Sequence, residues 1–204
     1  DGSLTDQDRA RFAKIINDES IRLTGLLDEI LDLSGLEAGG ISITREPISL
    51  PRAMAAAVDT ISALAQQRGV TIEIEPGADM TVMAGGDRLR QVLINLLSNA
   101  IKYNAAADPQ VRVVAHMTAG TAFVDVIDNG GGIGRDEAKT VFDKFSRGQR
   151  AAMDQGAGLG LPISRAIMRA MRGDLTVQFA KGGTSFFRIS VEIERDHLAE
   201  DAAG

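Results

Sequence analysis

The sequence predicts an α+β domain, two layers of helices and sheet, preceded by one long bundle helix. Three observations predict it. A heptad seam runs through residues 12–33, strand and helix signals then follow in groups without regular strand–helix crossovers, and the helix at 88–103 carries its apolar residues on one side.

The first element spans residues 6–38. Phe12, Ile16, Glu19, Leu23, Leu26, Ile30 and Leu33 alternate spacings of four and three, a seam interrupted only by Glu19. Ala13, Ser20, Leu27 and Ser34 widen that seam, as a bundle requires more than a two-stranded coil does. Gly39 and Gly40 stand where a helix should end. The helix either packs on its own domain or self-associates. Its length, without a following partner helix, favours self-association and leaves Leu27 and Leu36 incompletely covered. A short strand follows at 41–48, with Pro47 restricting it to an edge, and Pro51 opens an Ala-rich helix to Arg68. Strands are expected at 70–75 and 80–84, and Asp87 is placed to N-cap a helix from Arg88 to Tyr103. Strands at 111–117 and 121–128 flank a Gly-containing turn. A short helix at 136–142 leads into a polar loop, Ser146 to Gly156. The last elements are a helix at 161–171, strands at 175–179 and 185–194, and a small acidic tail. The resulting division is a partial bundle segment at 1–40, a main domain at 41–195 and a tail at 196–204.

Composition narrows the function. With 204 residues the chain can bury roughly 70% of its unfolded surface, so its core needs no disulfide or metal staples. A net charge of −6, 4% aromatic residues and no Trp argue against a nucleic-acid binder, which needs a basic excess and stacking platforms. The absence of Cys excludes disulfides, thiolate zinc sites and a Cys nucleophile, and fits a cytoplasmic location. No run approaches 18 apolar residues, so no membrane contact is expected of this chain.

Three constellations carry chemistry. Asn95, Asn99 and Lys102 share a narrow stripe of the helix at 88–103, opposite Leu89, Val92, Leu93, Leu96, Ala100 and Ile101. Two amides and an ammonium can supply an oxygen ligand for Mg²⁺ and a charge for phosphate. A plain solvated face is the alternative, although two mid-helix asparagines carry a propensity cost. Asp128 continues the apolar face of Ala122, Val124 and Val126, where a carboxylate needs a donor such as a ligand's amino group. Gly130, Gly131, Gly132 and Gly134 behind it allow close approach of the backbone to a flat ligand, or else, with Asn129-Gly130, make a surface hairpin. Gly156, Gly158 and Gly160 open a helix whose N–H groups can meet phosphate. They follow a polar loop and not a strand, so they are no Rossmann fingerprint, and no Walker A pattern occurs.

In order and spacing these segments resemble the sensor histidine kinases. Residues 87–103 are similar to their N box, Asp128 to Gly134 to the G1 box, Val141 to Arg147 to the F box, and Gly156 to Leu161 to the G2 box. Leu31 to Gly39 resembles the end of the second bundle helix of the same family. The resemblance implies a Bergerat-type ATP-binding fold with a mobile lid. It implies that Asp128 accepts the adenine amino group, that Asn99 ligates Mg²⁺ with Asn95 beside it, that Lys102 meets phosphates and that Tyr103 lies against the nucleoside. Gly130, Gly132, Ile133, Gly156, Gly158, Leu159, Gly160 and Leu161 would line the pocket. Phe142 and Phe145 would anchor the lid, and Lys144, Arg147 and Arg150 would neutralise the triphosphate. The implied reaction is transfer of the γ-phosphoryl group of Mg·ATP to a histidine. The implied partners are a response-regulator receiver domain and a second copy joined through the N-terminal helix.

Departures from the pattern are specific. Gly131 stands where the family usually has proline, and Ala157 replaces a polar residue of the G2 box. His116, on a strand, and His197, in the tail, are followed by Met117 and Leu198 rather than by an acid, so neither is an acceptor. The chain reads as a piece of a longer kinase lacking the first bundle helix. Related hydrolytic ATPases of the gyrase, mismatch-repair or heat-shock chaperone type usually carry glutamate where Asn95 stands, and an amide cannot act as their general base. A pseudokinase scaffold is the remaining alternative, kept open by Ala157 and opposed by Asn99 and Asp128.

Overall fold

A computed structural model describes residues 5–38, 42–146 and 158–194. The order is α1 (Asp6–Glu37), β1 (Glu46–Ser49), α2 (Leu50–Arg68), β2 (Thr71–Glu75), β3 (Thr81–Ala84), α3 (Gly86–Lys102), β4 (Gln110–Thr118), β5 (Thr121–Asp128), α4 (Glu137–Thr140), α5 (Gly160–Ala170), β6 (Asp174–Phe179) and β7 (Ser185–Glu192). A five-stranded sheet is ordered β2-β4-β5-β7-β6, with β2 and β4 parallel and the other neighbours antiparallel. β1 and β3 form a separate antiparallel pair, and Val82 bridges to Ile193 beyond the end of β7.

Alternation along the strands builds the two layers. Val111, Val113 and Ala115 of β4, Ala122, Val124 and Val126 of β5, and Ile189 and Val191 of β7 are buried. They share one core with Met54 and Ile61 of α2, Leu89, Val92, Leu93 and Leu96 of α3, and Ile163 and Ile167 of α5. The two-layer α+β expectation is met.

Several boundaries differ from expectation for identifiable reasons. The first strand is shorter than residues 41–48 and begins at Glu46, where pairing with β3 begins. Asp87 is not the N-cap of α3. Gly85 is, because a Cβ there would lie 2.6 Å from Ile43 Cγ2, so the chain crossing above leaves room only for glycine. Asp87 falls in the first helical turn and pairs with Arg90 at 3.0 Å. Leu36 was expected to be incompletely covered and is instead buried with Leu33 in the common core, as the C-terminal end of α1 packs on α5. Beside them Arg88 donates to both carboxylate oxygens of Asp32, at 2.8 and 3.3 Å. Leu27, by contrast, is exposed. Gly39, Gly40 and the acidic tail with His197 lie outside the described residues.

The sheet face turned away from the helices has its own anchor. Asp125, only 6% exposed, sits directly opposite Arg188 across β5 and β7 and accepts two hydrogen bonds from it, each 2.6 Å. Those bonds push the Arg188 pKa above its ordinary value. The guanidinium lies over the Phe123 and Phe186 rings, and His116 stacks on Phe123 with centroids 5.3 Å apart. This packing accounts for His116 as a sheet residue. Arg188→Ala should strand the Asp125 carboxylate and cost about 1.5–3 kcal/mol, the usual value of a charged hydrogen bond. Urea unfolding at neutral pH measures it, and a loss below about 0.5 kcal/mol, the scale of ordinary surface substitutions, would refute the assignment.

Candidate functional site

α3 supplies one wall of the site. Its apolar side is buried as expected, and the stripe opposite leaves Asn95 and Asn99 half-buried and Lys102 exposed. Asn95 Nδ2 donates to Ser164 Oγ on α5 at 2.9 Å, and Ser164 is itself buried. Gly160 lies against the same amide, since a Cβ on it would stand 2.5 Å from Asn95 Oδ1. The glycine is therefore required first by helix–helix approach. Tyr103 is the C-cap, its N–H bonded to the Asn99 carbonyl at 3.0 Å and its side chain at the surface.

The second part of the candidate site is the end of β5 and the turn after it. Asp128 is half-buried and ends the buried face of Ala122, Val124 and Val126, and its Oδ1 accepts the Gly130 N–H at 2.9 Å. The alternative of a surface hairpin at Asn129-Gly130 is excluded by connectivity, because the turn leads to α4 and not to a paired strand. Gly131 and Gly132 have φ of 90° and 59°, values closed to proline and strained for other residues. Gly131 thus does more than loosen the turn: it takes a path that proline could not follow. A Cβ on Gly132 would also collide with the Ser185 hydroxyl, which accepts the Ile133 N–H at 2.7 Å.

The remaining predicted positions divide. Leu159 is 1% exposed and belongs to the core, and Leu161 is partly buried against the same core. Phe142 packs edge-on to Phe187 with Arg165 4.6 Å above its ring. Phe145 is not anchored by its ring, which is 63% exposed. Its backbone does that work: at φ 62° its N–H donates to the Gly158 carbonyl at 3.1 Å, and a Cβ on Gly158 would lie 2.7 Å from the Ser146 carbonyl oxygen. Arg147, Arg150, Gly156 and Ala157, with the lid expected around them, lie outside the described residues. Sequence reasoning missed Ser164, Ser185, Asn104 and Asn129. The first three carry no pattern of their own, and Asn129 read only as a turn former.

Among the described residues no three His, Cys, Asp or Glu side chains gather as a metal cluster. A divalent cation here would have to be held by an amide and by the ligand's own oxygens. Asn99 fits that requirement: it is half-buried on the stripe between Asn95 and Lys102.

A two-layer sandwich with these residues at the end of β5 and along α3 defines a class. Residues 84–195 match the family model for histidine kinase-, DNA gyrase B- and HSP90-like ATPases, and the chain belongs to that family. The fold is of the Bergerat type. Among relatives, the chain is 31% identical over 185 residues to the sensor protein KdpD of Escherichia coli (strain K12), covering 89% of this chain and 20% of KdpD. It is 31% identical over 195 residues to the circadian input-output histidine kinase CikA of Synechococcus elongatus, covering 92% of this chain and 25% of CikA. It thus spans about a fifth to a quarter of the length of these relatives. Full-length ShkA, solved in complex with AMPPNP, superposes with a TM-score of 0.78 at 26% identity, covering 94% of this chain and 40% of that one. The Acinetobacter baumannii histidine kinase AdeS shares the fold, with a TM-score of 0.75 at 22% identity over 95% of this chain and 89% of that one.

The close approach of α5 to α3 gives a direct test. Gly160→Ala must displace Asn95 or the start of α5 and should destabilise the domain by about 1–3 kcal/mol, the range for overpacking. Denaturant unfolding with an unchanged midpoint would refute the contact.

Proposed function

We propose that this chain is the ATP-binding catalytic part of a two-component sensor histidine kinase. It would transfer the γ-phosphoryl group of Mg·ATP to a histidine presented by a neighbouring bundle helix. The observation that carries the reading is the placement of Asp128 at the end of an apolar strand face, where the glycine-rich turn after it meets the segment that follows the Asn95–Asn99–Lys102 stripe of α3. In it Asp128 accepts the adenine amino group. Gly132 and Ile133 form the turn beside the base, and Tyr103 covers the nucleoside from the end of α3. Asn99 would hold Mg²⁺, which when bound neutralises phosphate oxygens, and Lys102 adds a positive charge nearby. The acceptor imidazole nitrogen attacks the γ-phosphorus as the bond to the β–γ bridging oxygen breaks and ADP leaves; the displaced imidazole proton passes to solvent. The protein's contribution is positioning and charge neutralisation.

Asn95 separates this reading from hydrolysis. Its amide is held by Ser164 and is no general base, so no group at that position activates water. The domain division at residues 40 and 195, a location in the cytoplasm where ATP is supplied, and a response-regulator receiver domain as downstream partner belong to the same proposal. No described helix is long and apolar enough to cross a membrane.

Asp128→Asn keeps the shape but replaces part of the acceptor with a donor. A charged hydrogen bond is worth about 1.5–3 kcal/mol, so ATP affinity should fall roughly tenfold to 150-fold by calorimetry. With γ-labelled ATP and a separately supplied bundle helix bearing a histidine followed by an acid, acid-labile label should appear on that helix in the wild type and fade in the variant. Unchanged affinity, or label on His116 instead, would overturn the assignment.

Dimerisation through α1 is proposed from its surface. Phe12, Ile16, Leu23, Leu27 and Ile30 are each at least 42% exposed along the seam, an apolar stripe that a second copy would cover. Sedimentation should detect concentration-dependent association. A strict monomer at high concentration would assign this stripe another role.

A further inference from the structure

Past the end of the β4–β5 ladder, one exposed asparagine carries an unusual number of contacts. Asn129 Oδ1 accepts the Gln110 N–H at 2.8 Å and Asn104 Nδ2 at 3.0 Å, while its Nδ2 donates to the Asp108 carbonyl at 2.8 Å. Its own N–H donates to the Gln110 carbonyl at 3.3 Å. Asn104 is committed as fully: its Nδ2 also donates to the Gln110 carbonyl at 3.1 Å, and its Oδ1 accepts the Ala106 N–H at 3.1 Å. The backbones meet at the same place, for a Cβ on Gly130 would stand 2.8 Å from Asn104 Cα and 2.9 Å from Asp128 Oδ1.

Two amides thus join the segment that follows α3 to the turn that follows β5. Asn104 directly follows Tyr103, the cap of α3, and Asn129 directly follows Asp128. Asn129 fixes the peptide leading to Gly130, and the Gly130 N–H holds the Asp128 carboxylate. Neither asparagine is buried, so core packing does not explain the arrangement. We propose that Asn129 and Asn104 are positioning residues for nucleotide recognition, an amide clamp that sets the Asp128 carboxylate at a fixed distance from the end of α3. Adenine selection then depends on residues that do not touch the base. A loose Asp128 would still attract a nucleotide through Lys102 and Asn99 but would distinguish its exocyclic group less well.

The inference rests on the reading of Asp128 as the adenine acceptor, and one comparison separates the two. Inosine triphosphate carries an oxo group where ATP carries the amino group, with a proton on N1, so it puts an acceptor in place of the donor that meets Asp128 while leaving sugar, phosphates and Mg²⁺ unchanged. Calorimetry with Mg·ATP and Mg·inosine triphosphate should give wild-type protein a preference for ATP of roughly tenfold or more. Asn129→Ala should lower that preference at least threefold, chiefly through weaker ATP binding, with inosine triphosphate affinity nearly unchanged. Asn104→Ser, which removes fewer contacts, should move it in the same direction and serves if Asn129→Ala does not fold. If the wild type prefers ATP and a folded variant loses affinity for both nucleotides equally, or keeps the full preference, the clamp has no role in selection and the inference fails. If the wild type shows no preference, the reading of Asp128 fails and takes the inference with it.

Discussion

Asn95 reaches from the middle of α3 to Ser164 on α5, and the geometry of the cleft depends on that contact. Two helices can approach this closely only if one presents no side chain, and Gly160 is the residue that yields. The contact satisfies a half-buried amide with a buried hydroxyl, so neither group is left unpaired where water is scarce. It also fixes the start of α5, and with it Gly158, whose carbonyl receives Phe145. One hydrogen bond therefore aligns the stripe on α3 with the segment entering α5.

The sheet meets a different demand. Its inner face is aliphatic and continuous with the helices, whereas its outer face uses a cross-strand ion pair between rings, Asp125 with Arg188 beside Phe123 and Phe186. At the end of β6 a second cluster operates. Burial pushes the Asp174 carboxyl up, but hydrogen bonds from Arg165, the Leu175 N–H and Arg169 outweigh it and hold the group below the usual carboxylate range. Arg165 also lies over Phe142, so the same cation serves an ion pair and the aromatic anchor beside the cleft.

Most of the fold was legible because the periodicities are clean. The apolar positions of α3 put Asn99 on its polar stripe and the alternation of β5 puts Asp128 at the end of an apolar face, while their membership of one site came only from the family resemblance. What escaped was whatever depends on a distant neighbour. Asp87 is the better N-cap by chemistry, but Gly85 wins because residues 43–44 cross over it. Leu36 reads as incompletely covered until α5 packs against it, and nothing in the spacing marks Leu159 for the core that closes around it. The backbone contact of Phe145 with Gly158 was not legible, since a left-handed conformation in an aromatic residue leaves no spacing signature. Ser164 and Ser185 are single hydroxyls whose partners lie 69 and 52 residues away.

These distant constraints converge on α3. In its first turn Arg88 grips Asp32 of α1, and that hydrogen bond pushes the Arg88 pKa above its ordinary value. Lys102 lies roughly 21 Å further along the same axis, at 1.5 Å per residue. Between them the helix buries Leu89, Val92, Leu93, Leu96 and Leu97 almost completely, which leaves it little freedom to bend or rotate. A displacement of α1 relative to the domain must therefore either break the Asp32–Arg88 pair and uncover Leu33 and Leu36, or move α3 as a rigid rod. The first route costs an ion pair and apolar burial at one end. The second disturbs Asn95, Asn99 and the Tyr103–Asn104 turn together, because all are carried on the same helix or its immediate extension. α3 is thus held to α1 at Arg88 and leads at its other end into Tyr103 and Asn104.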